Sequence, residues 1–143
     1  MFRLAELITE EALYQKTPQE ITALLYEAML DHLENAIRKI ETKDYVEVNE
    51  SLKKCNDILK RLGAGLNYDA GIIADQLESV YMYVDNLLFD ANVKKDAEKV
   101  KEAHKLISMI SEAWHQAMIN KETKANTRTH NMSTYDNLSA YED

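Results

Sequence analysis

The chain has 143 residues, with three Gly and one Pro. This length suits a single domain, and the content of turn residues is too low for the many tight turns of a β-sandwich or barrel. The balance of 17 basic and 25 acidic residues, net charge −8, argues against a nucleic-acid-binding module and against docking on anionic lipid, since both need a basic face.

The first segment, residues 1–16, carries apolar residues at helical spacing and predicts a short amphipathic helix that is marginal alone. Its acidic residues and its lack of a long apolar stretch differ from a secretory signal. No run of 18 apolar residues could span a bilayer. The single cysteine, Cys55, allows no internal disulfide. These features predict a cytoplasmic protein.

The first long helix is predicted from about residue 18 to 41. Thr17 can cap it, Pro18 suits the first helical position, and Glu20 completes a capping box. Its broad apolar face consists of Ile21, Leu24, Leu25, Ala28, Leu33, Ala36, Ile37 and Ile40.

The second helix begins after a repeat of the cap pattern at Asp44 and Glu47 and ends at Gly63 or Gly65, where a residue can turn left-handed without a Cβ clash. Apolar residues at alternating steps of three and four form its inward row. They are Tyr45, Val48, Leu52, Cys55, Leu59 and Leu62.

The third helix is predicted to begin near Gly71, and the fourth follows a cap at Asp96. The third has the inward row Ile73, Leu77, Val80, Val84, Leu87 and Ala91, and the fourth has Val100, Ala103, Ile107, Ile110, Trp114 and Ala117. Short links make successive helices antiparallel, which predicts an all-α fold with an up-down four-helix bundle over residues 17–121. Residues 122–143 are polar without a helical stripe and predict a flexible, disordered tail.

Some apolar residues are left over once the inward rows are assigned. Met82 and Phe89 point roughly opposite to the inward row of the third helix, and Leu106 and Met109 lie off that of the fourth. Monomers rarely expose a second contiguous apolar stripe, so we interpret these residues as a groove that receives an amphipathic helix. The alternative is a wider core, or burial under residues 1–16.

Residue types that carry catalysis or bind metal do not form a convincing set. Glu112 and His115 make one Glu-x-x-His pair, whereas a di-iron bundle needs two pairs and further inward carboxylates. His104 could be imagined as a phosphotransfer histidine, but Lys105 and bulky apolar residues follow it. The buried row holds Cys55 as an apolar filler. The sequence predicts no enzyme, no cofactor and no metal site.

Several short motifs occur in a fixed order. They are Tyr14-Gln15, Thr17-Pro18-Gln19-Glu20-Ile21, Leu24-Leu25-Tyr26-Glu27-Ala28, Leu77 with Tyr81-Met82-Tyr83, Ala91-Asn92 with Asp96, and Ala113-Trp114-His115-Gln116-Ala117. The ordered set covers about residues 14–119 and resembles the FliS family of flagellin export chaperones. The Thr-Pro box is shorter here than in the family pattern, and the segment before it looks more helical.

The resemblance implies an antiparallel helical bundle without catalytic activity. Such proteins bind the C-terminal region of new flagellin in the cytoplasm, stop it from polymerising early and hold it for flagellar type III secretion. The flagellin segment forms helices on docking, and in free family members the N-terminal segment can cover part of the apolar surface. Leu4, Leu7 and Ile8 are then candidates for a movable cover.

The resemblance also assigns individual residues to flagellin binding. It gives Tyr81, Tyr83 and Asn92, which join Met82, Phe89, Leu106 and Met109 from the helical periodicity. For the two tyrosines, the alternative is an architectural role in which buried hydroxyls tie helices together.

Other interpretations of the chain stay open at this point. It could serve another type III secretion client or act as a co-regulator, it could be a phosphotransfer bundle acting through His104 or His115, or it could be a structural oligomer. Further expected partners are the flagellar export apparatus or other flagellar regulators. The expected state is a monomer or weak homo-oligomer.

Overall fold

The computed structural model describes residues 17–67 and 71–142, and within these ranges all regular secondary structure is helical. The helices are α1 (Pro18–Glu41), α2 (Tyr45–Ala64), α3 (Ile72–Lys94) and α4 (Ala97–Glu142). The prediction of an all-α helical bundle is confirmed. No helix in the described part of the chain is long and apolar enough to cross a membrane. The predicted helix at 1–16 lies outside the described residues.

The helix starts follow the predicted caps. Thr17 Oγ1 accepts a hydrogen bond from the Glu20 N–H at 3.2 Å, and Asp44 Oδ1 accepts one from the Glu47 N–H at 3.4 Å. Each bond satisfies one of the free N–H groups of a first turn. By contrast, α3 begins at Gly71 without a side-chain cap, and the φ of +69° there is one that glycine adopts readily.

Polar contacts between neighbouring helices fix their order around the bundle. Asn35 in α1 bonds to Ser51 in α2, Asn92 in α3 to Asn49 in α2, Lys99 in α4 to Asp90 in α3, and His104 in α4 to Glu34 in α1. The four contacts close a ring, so α1 and α3 lie diagonally across the core.

Most of the predicted core is confirmed in α2 and α4. In α2, Val48, Leu52, Cys55, Leu59 and Leu62 are buried, and in α4 the buried residues are Val100, Ala103 and Ile107. Ile110 and Trp114 are half-buried, and two assignments are wrong. Tyr45 is exposed, with its ring centroid 5.9 Å from the Lys95 ammonium, and Ala117 is exposed on α4.

The buried face of α3 is rotated from the predicted one. Its buried residues are Ala74, Tyr81, Val84, Leu88 and Ala91, whereas Ile73 is 64% exposed and Leu77, Val80 and Leu87 are half-buried. This rotation places Tyr81 in the core, opposite the fully buried Tyr26 of α1. Tyr26 and Met29 belong to the core although the predicted apolar face of α1 omitted them.

Two compact units divide the chain, Met1–Ser111 and Glu112–Asp143. The buried side chains described above belong to the first. Helix α4 is helical to Glu142, whereas the sequence predicts a disordered tail over 122–143. No Gly or Pro occurs after Gly71, so no such residue interrupts the helix.

Candidate functional site

Two adjoining pockets form an open groove between α2 and α3, the α2–α3 groove. One, of about 320 Å³, is lined by Leu52, Leu88 and Phe89, and we call it the Phe89 pocket. The other, of about 270 Å³, is lined by Leu59 and Met82 with Tyr81, and we call it the Met82 pocket. Helix α2, which the sequence-based interpretation did not include, supplies one wall of each pocket.

Met82 and Phe89 give the groove its exposed apolar surface. Their exposed fractions are 62% and 70%. Seven residues separate them, close to two turns, so both side chains lie on the same side of α3. Their predicted outward placement is confirmed. Large apolar side chains exposed on one helix face, next to pockets that contain apolar side chains, form the kind of surface that receives an amphipathic helix.

Asn92 lies at one end of the groove, where it holds α2 and α3 together. Its amide donates to Asn49 Oδ1 at 2.8 Å, and its own Oδ1 accepts a bond from the Lys95 ammonium at 2.6 Å. It also lines the Phe89 pocket. The structure therefore places Asn92 where it can both shape the groove and meet a ligand.

A second polar contact crosses the groove at its centre. The Asn56 side-chain amide donates a hydrogen bond to an Asp85 carboxylate oxygen, and both residues line both pockets. Neither residue belongs to the site predicted from the sequence. The sequence does contain a signal for a polar row on each helix, which is the spacing of its residues. Asn49 and Asn56 on α2 are seven residues apart and therefore share a helix face. The same spacing separates Asp85 and Asn92 on α3.

Tyr81 has the architectural role that was the alternative interpretation. It is only 6% exposed, and its hydroxyl is hydrogen-bonded to that of Tyr26 across the bundle. The two rings are tilted by 50° with centroids 6.5 Å apart. Burial raises the pKa of both phenols, so both stay protonated at neutral pH. Tyr81 therefore connects α3 to α1 through its buried hydroxyl, and its side chain lines the inner side of the Met82 pocket and does not project to the surface.

Tyr83, Leu106 and Met109 do not line the α2–α3 groove. The Tyr83 hydroxyl donates to Glu102 Oε1 of α4 at 2.6 Å, and this bond to a carboxylate raises the pKa of Tyr83. Successive helical residues point about 100° apart, which explains why Met82 faces α2 while Tyr83 faces α4. Met109 is 61% exposed and Leu106 half-buried, both on α4. The predicted single site is thus divided between two faces.

The structure also places His104 and Cys55, two residues that the sequence singled out. In the described ranges no group of three or more His, Cys, Asp or Glu residues could hold a metal ion. His104 Nε2 lies 3.1 Å from Glu34 Oε1. Burial raises the pKa of the Cys55 thiol to about 12, so the reactive thiolate is suppressed. Leu4, Leu7 and Ile8 lie outside the described residues.

Comparison with known proteins gives one consistent result. A family model described as "Flagellar protein FliS" matches residues 4–122. The "Flagellar secretion chaperone FliS" of Salmonella typhimurium is 32% identical over 114 residues, 78% of this chain and 84% of that protein. The Bacillus subtilis protein of the same name is 31% identical over 102 residues, which are 71% of this chain and 76% of that protein. The Escherichia coli protein of the same name is 23% identical over 117 residues, which are 80% of this chain and 86% of that protein.

Proposed function

Because the chain belongs to the FliS family of flagellar secretion chaperones, we propose that it binds the C-terminal region of flagellin in the cytoplasm. By holding that region, it prevents premature polymerisation and keeps flagellin competent for flagellar type III secretion during flagellum assembly. The family is a chaperone family and not an enzyme family.

The observation that carries this proposal is the exposed pair Met82 and Phe89 beside the two pockets of the α2–α3 groove. A polymerising flagellin segment is an amphipathic helix, and a chaperone must shield its apolar face. Burying one large apolar side chain contributes about 1.5–3 kcal/mol. The entropy of ordering the client and of association offsets much of that gain. The complex can therefore form and later release its client.

We further propose that Leu4, Leu7 and Ile8 cover part of the groove in the free chaperone. The proposal rests on the family resemblance and on the apolar spacing of residues 1–16. If the cover must leave before the client binds, only the open fraction of the chaperone can bind. The apparent dissociation constant is then the intrinsic one divided by that fraction. The export apparatus and other flagellar regulators are proposed as further partners of a monomer or weak homo-oligomer.

The test is a titration of the full chain with a fluorescently labelled C-terminal flagellin segment. We expect Phe89→Asp to weaken binding by about tenfold or more, because it puts a charge where an apolar side chain must be buried. Val46→Asp is the matched control, since Val46 on α2 is similarly exposed, at 75%, but lines neither pocket of the groove. Its affinity should stay within about twofold of wild type.

Two companion measurements separate the alternatives. Size-exclusion chromatography should show a monomer or weak oligomer, and far-UV circular dichroism should show a gain of helicity when the flagellin segment is added. Equal losses in both Asp variants would contradict the assignment of the groove. If the chain bound another secretion client and did not bind flagellin, the proposal that flagellin is the client would be contradicted. A stable homo-oligomer that buries Phe89 would favour a structural role.

A further inference from the structure

The α2–α3 groove is interrupted at its centre by a polar bridge between Asn56 and Asp85. Both residues border the Phe89 pocket and the Met82 pocket. Both are half-buried, so water reaches them in the free protein. The groove therefore consists of two pockets, each with a cluster of apolar side chains and a polar rim, and the hydrogen-bonded Asn56 and Asp85 lie between them.

A helix lying along the groove removes water from this bridge. A carboxylate offers two acceptor oxygens, and an asparagine side chain offers two N–H donors and one acceptor, so the single bond between Asn56 and Asp85 does not saturate either group. An apolar side chain placed over them leaves polar groups without partners. The expected penalty is about tenfold in affinity. A side chain with donors and acceptors avoids this penalty.

The spacing of the pockets fixes where the polar side chain must lie. Met82 and Phe89 are seven residues apart on α3, which corresponds to about 10 Å along the helix axis. A second helix along the groove can place apolar side chains at positions i and i+7 into the two pockets. The residue at i+3 or i+4 then lies on the same face, between the anchors and over the bridge.

We propose that the Asn56–Asp85 bridge makes the groove selective for an amphipathic helix with two apolar anchors seven residues apart and a hydrogen-bonding residue between them. This inference rests on the proposed function, because it names the class of client segment that the same groove accepts. The bridge acts as a specificity filter. A helix with an unbroken apolar face is disfavoured.

The charges along the groove also favour a helical client of defined orientation. The α2 wall carries the exposed side chains of Lys53 and Lys60, and the α3 wall carries the exposed Glu78. A client helix with acidic residues along one flank and basic residues along the other complements both walls. Such complementarity sets register and orientation more than it raises affinity.

The experiment uses two synthetic helical peptides of about 20 residues, sufficient to span both pockets. Both have an Ala-Glu-Lys background with Leu at i and i+7, and they differ only in Gln or Leu at i+4, two residues of similar size and helix propensity. Each labelled peptide is titrated with the full chain by fluorescence anisotropy. We expect the Gln peptide to bind about tenfold more tightly. Equal affinities, or a preference for the Leu peptide, would overturn the proposal.

Variants of the chaperone identify the bridge as the cause. The double variant Asn56→Leu, Asp85→Leu should lose the preference or reverse it, whereas Asp85→Asn, which can keep an amide–amide bridge, should retain it. Asn35→Leu is the matched control, because it removes an interhelical amide bond, 2.7 Å to Ser51 Oγ, away from the groove. It should leave the preference unchanged. The wild-type comparison decides the question even if the double variant does not fold.

A parallel titration with the C-terminal flagellin segment separates this inference from the proposed function. A preference for the Gln peptide without flagellin binding would support the filter and contradict flagellin as the client. Flagellin binding together with equal affinities for the two peptides would overturn the filter and leave the proposed function standing.

Discussion

At the scale of single residues, the buried contact between Tyr26 and Tyr81 shows how an apparently functional side chain can serve the core. Tyr26 is fully buried, and the two hydroxyls bond to each other across the bundle. Burying a hydroxyl is costly unless it is hydrogen-bonded, and this contact gives each of the two hydroxyls a bond in the core. The bond therefore ties α1 to α3 and fixes the rotation of α3 about its own axis.

We predict that Tyr81→Phe lowers the free energy of unfolding by about 1 kcal/mol, because it removes the buried hydrogen bond between the Tyr81 and Tyr26 hydroxyls. Tyr26→Phe should cost a similar amount. The double variant should cost clearly less than the sum, since it removes both hydroxyls together. Urea unfolding followed by circular dichroism measures all three free energies.

The control for this cycle is Tyr83→Phe. Its hydroxyl bonds to Glu102 at the surface, where water can replace the lost partner, so no measurable loss of stability is expected. Additive costs of the Tyr26 and Tyr81 variants would contradict a direct hydrogen bond between them. Since the Tyr81 hydroxyl points into the bundle, Tyr81→Phe should also bind the flagellin segment as tightly as wild type.

At the scale of elements, the sequence was sufficient for the helix starts, for most of the buried row of α2 and for the first half of that of α4. Thr17 and Asp44 cap as their local motifs predict. The buried face of α3 was misjudged because apolar residues surround much of this helix, so its periodicity does not single out one face. Only the neighbouring helices, through contacts such as Tyr26 with Tyr81, select it.

The turns between helices were less predictable than the helices. Lys43 follows α1 with a φ of 60°, and Lys95 follows α3 with a φ of 53°. This left-handed conformation is strained for residues with a Cβ, and glycine is usual there. Neither lysine signals it in the sequence. The direction of the chain reversal, and the neighbours that each helix meets, therefore depend on tertiary packing.

The strain at Lys43 gives a second prediction. Lys43→Gly should raise the free energy of unfolding by about 0.5 kcal/mol, because relief of the left-handed strain exceeds the added freedom of the unfolded chain. Lys54→Gly is the matched control, since Lys54 is an exposed lysine inside α2, and there glycine should cost about 1 kcal/mol. Urea unfolding compares the two. A loss in both variants would contradict the left-handed turn.

At the scale of the whole molecule, the sequence predicted that apolar side chains are left over but not how they are distributed. Helical periodicity places Met82 and Tyr83 on different sides of α3 without saying which helix lies on each side. The structure puts α2 beside Met82 and α4 beside Tyr83. The order of helices around a bundle is not encoded in the period of any one of them, so the shared helix face of Asn49 and Asn56 does not by itself place α2 beside Met82.

The two units of the chain lead to the last prediction, which concerns residues 121–143. Helix α4 has 46 residues and is helical to Glu142, although the sequence predicts a disordered tail. Extending a helix that is already formed avoids the cost of nucleation, which is what makes short isolated helices unstable. A polar segment without Gly or Pro can therefore stay helical when it continues directly from a packed helix.

Truncation after Asn120 should consequently lower the total helical circular dichroism signal by about a fifth, given helices of 24, 20, 23 and 46 residues. The midpoint of urea unfolding should not change, because the buried core runs from Tyr26 to Ile107. Ala125→Pro in the full chain is a second check, since proline removes a helical hydrogen bond and should lower the signal in the same direction. An unchanged signal in both variants would show that the tail is disordered, and a shifted midpoint would show that it contributes to the core.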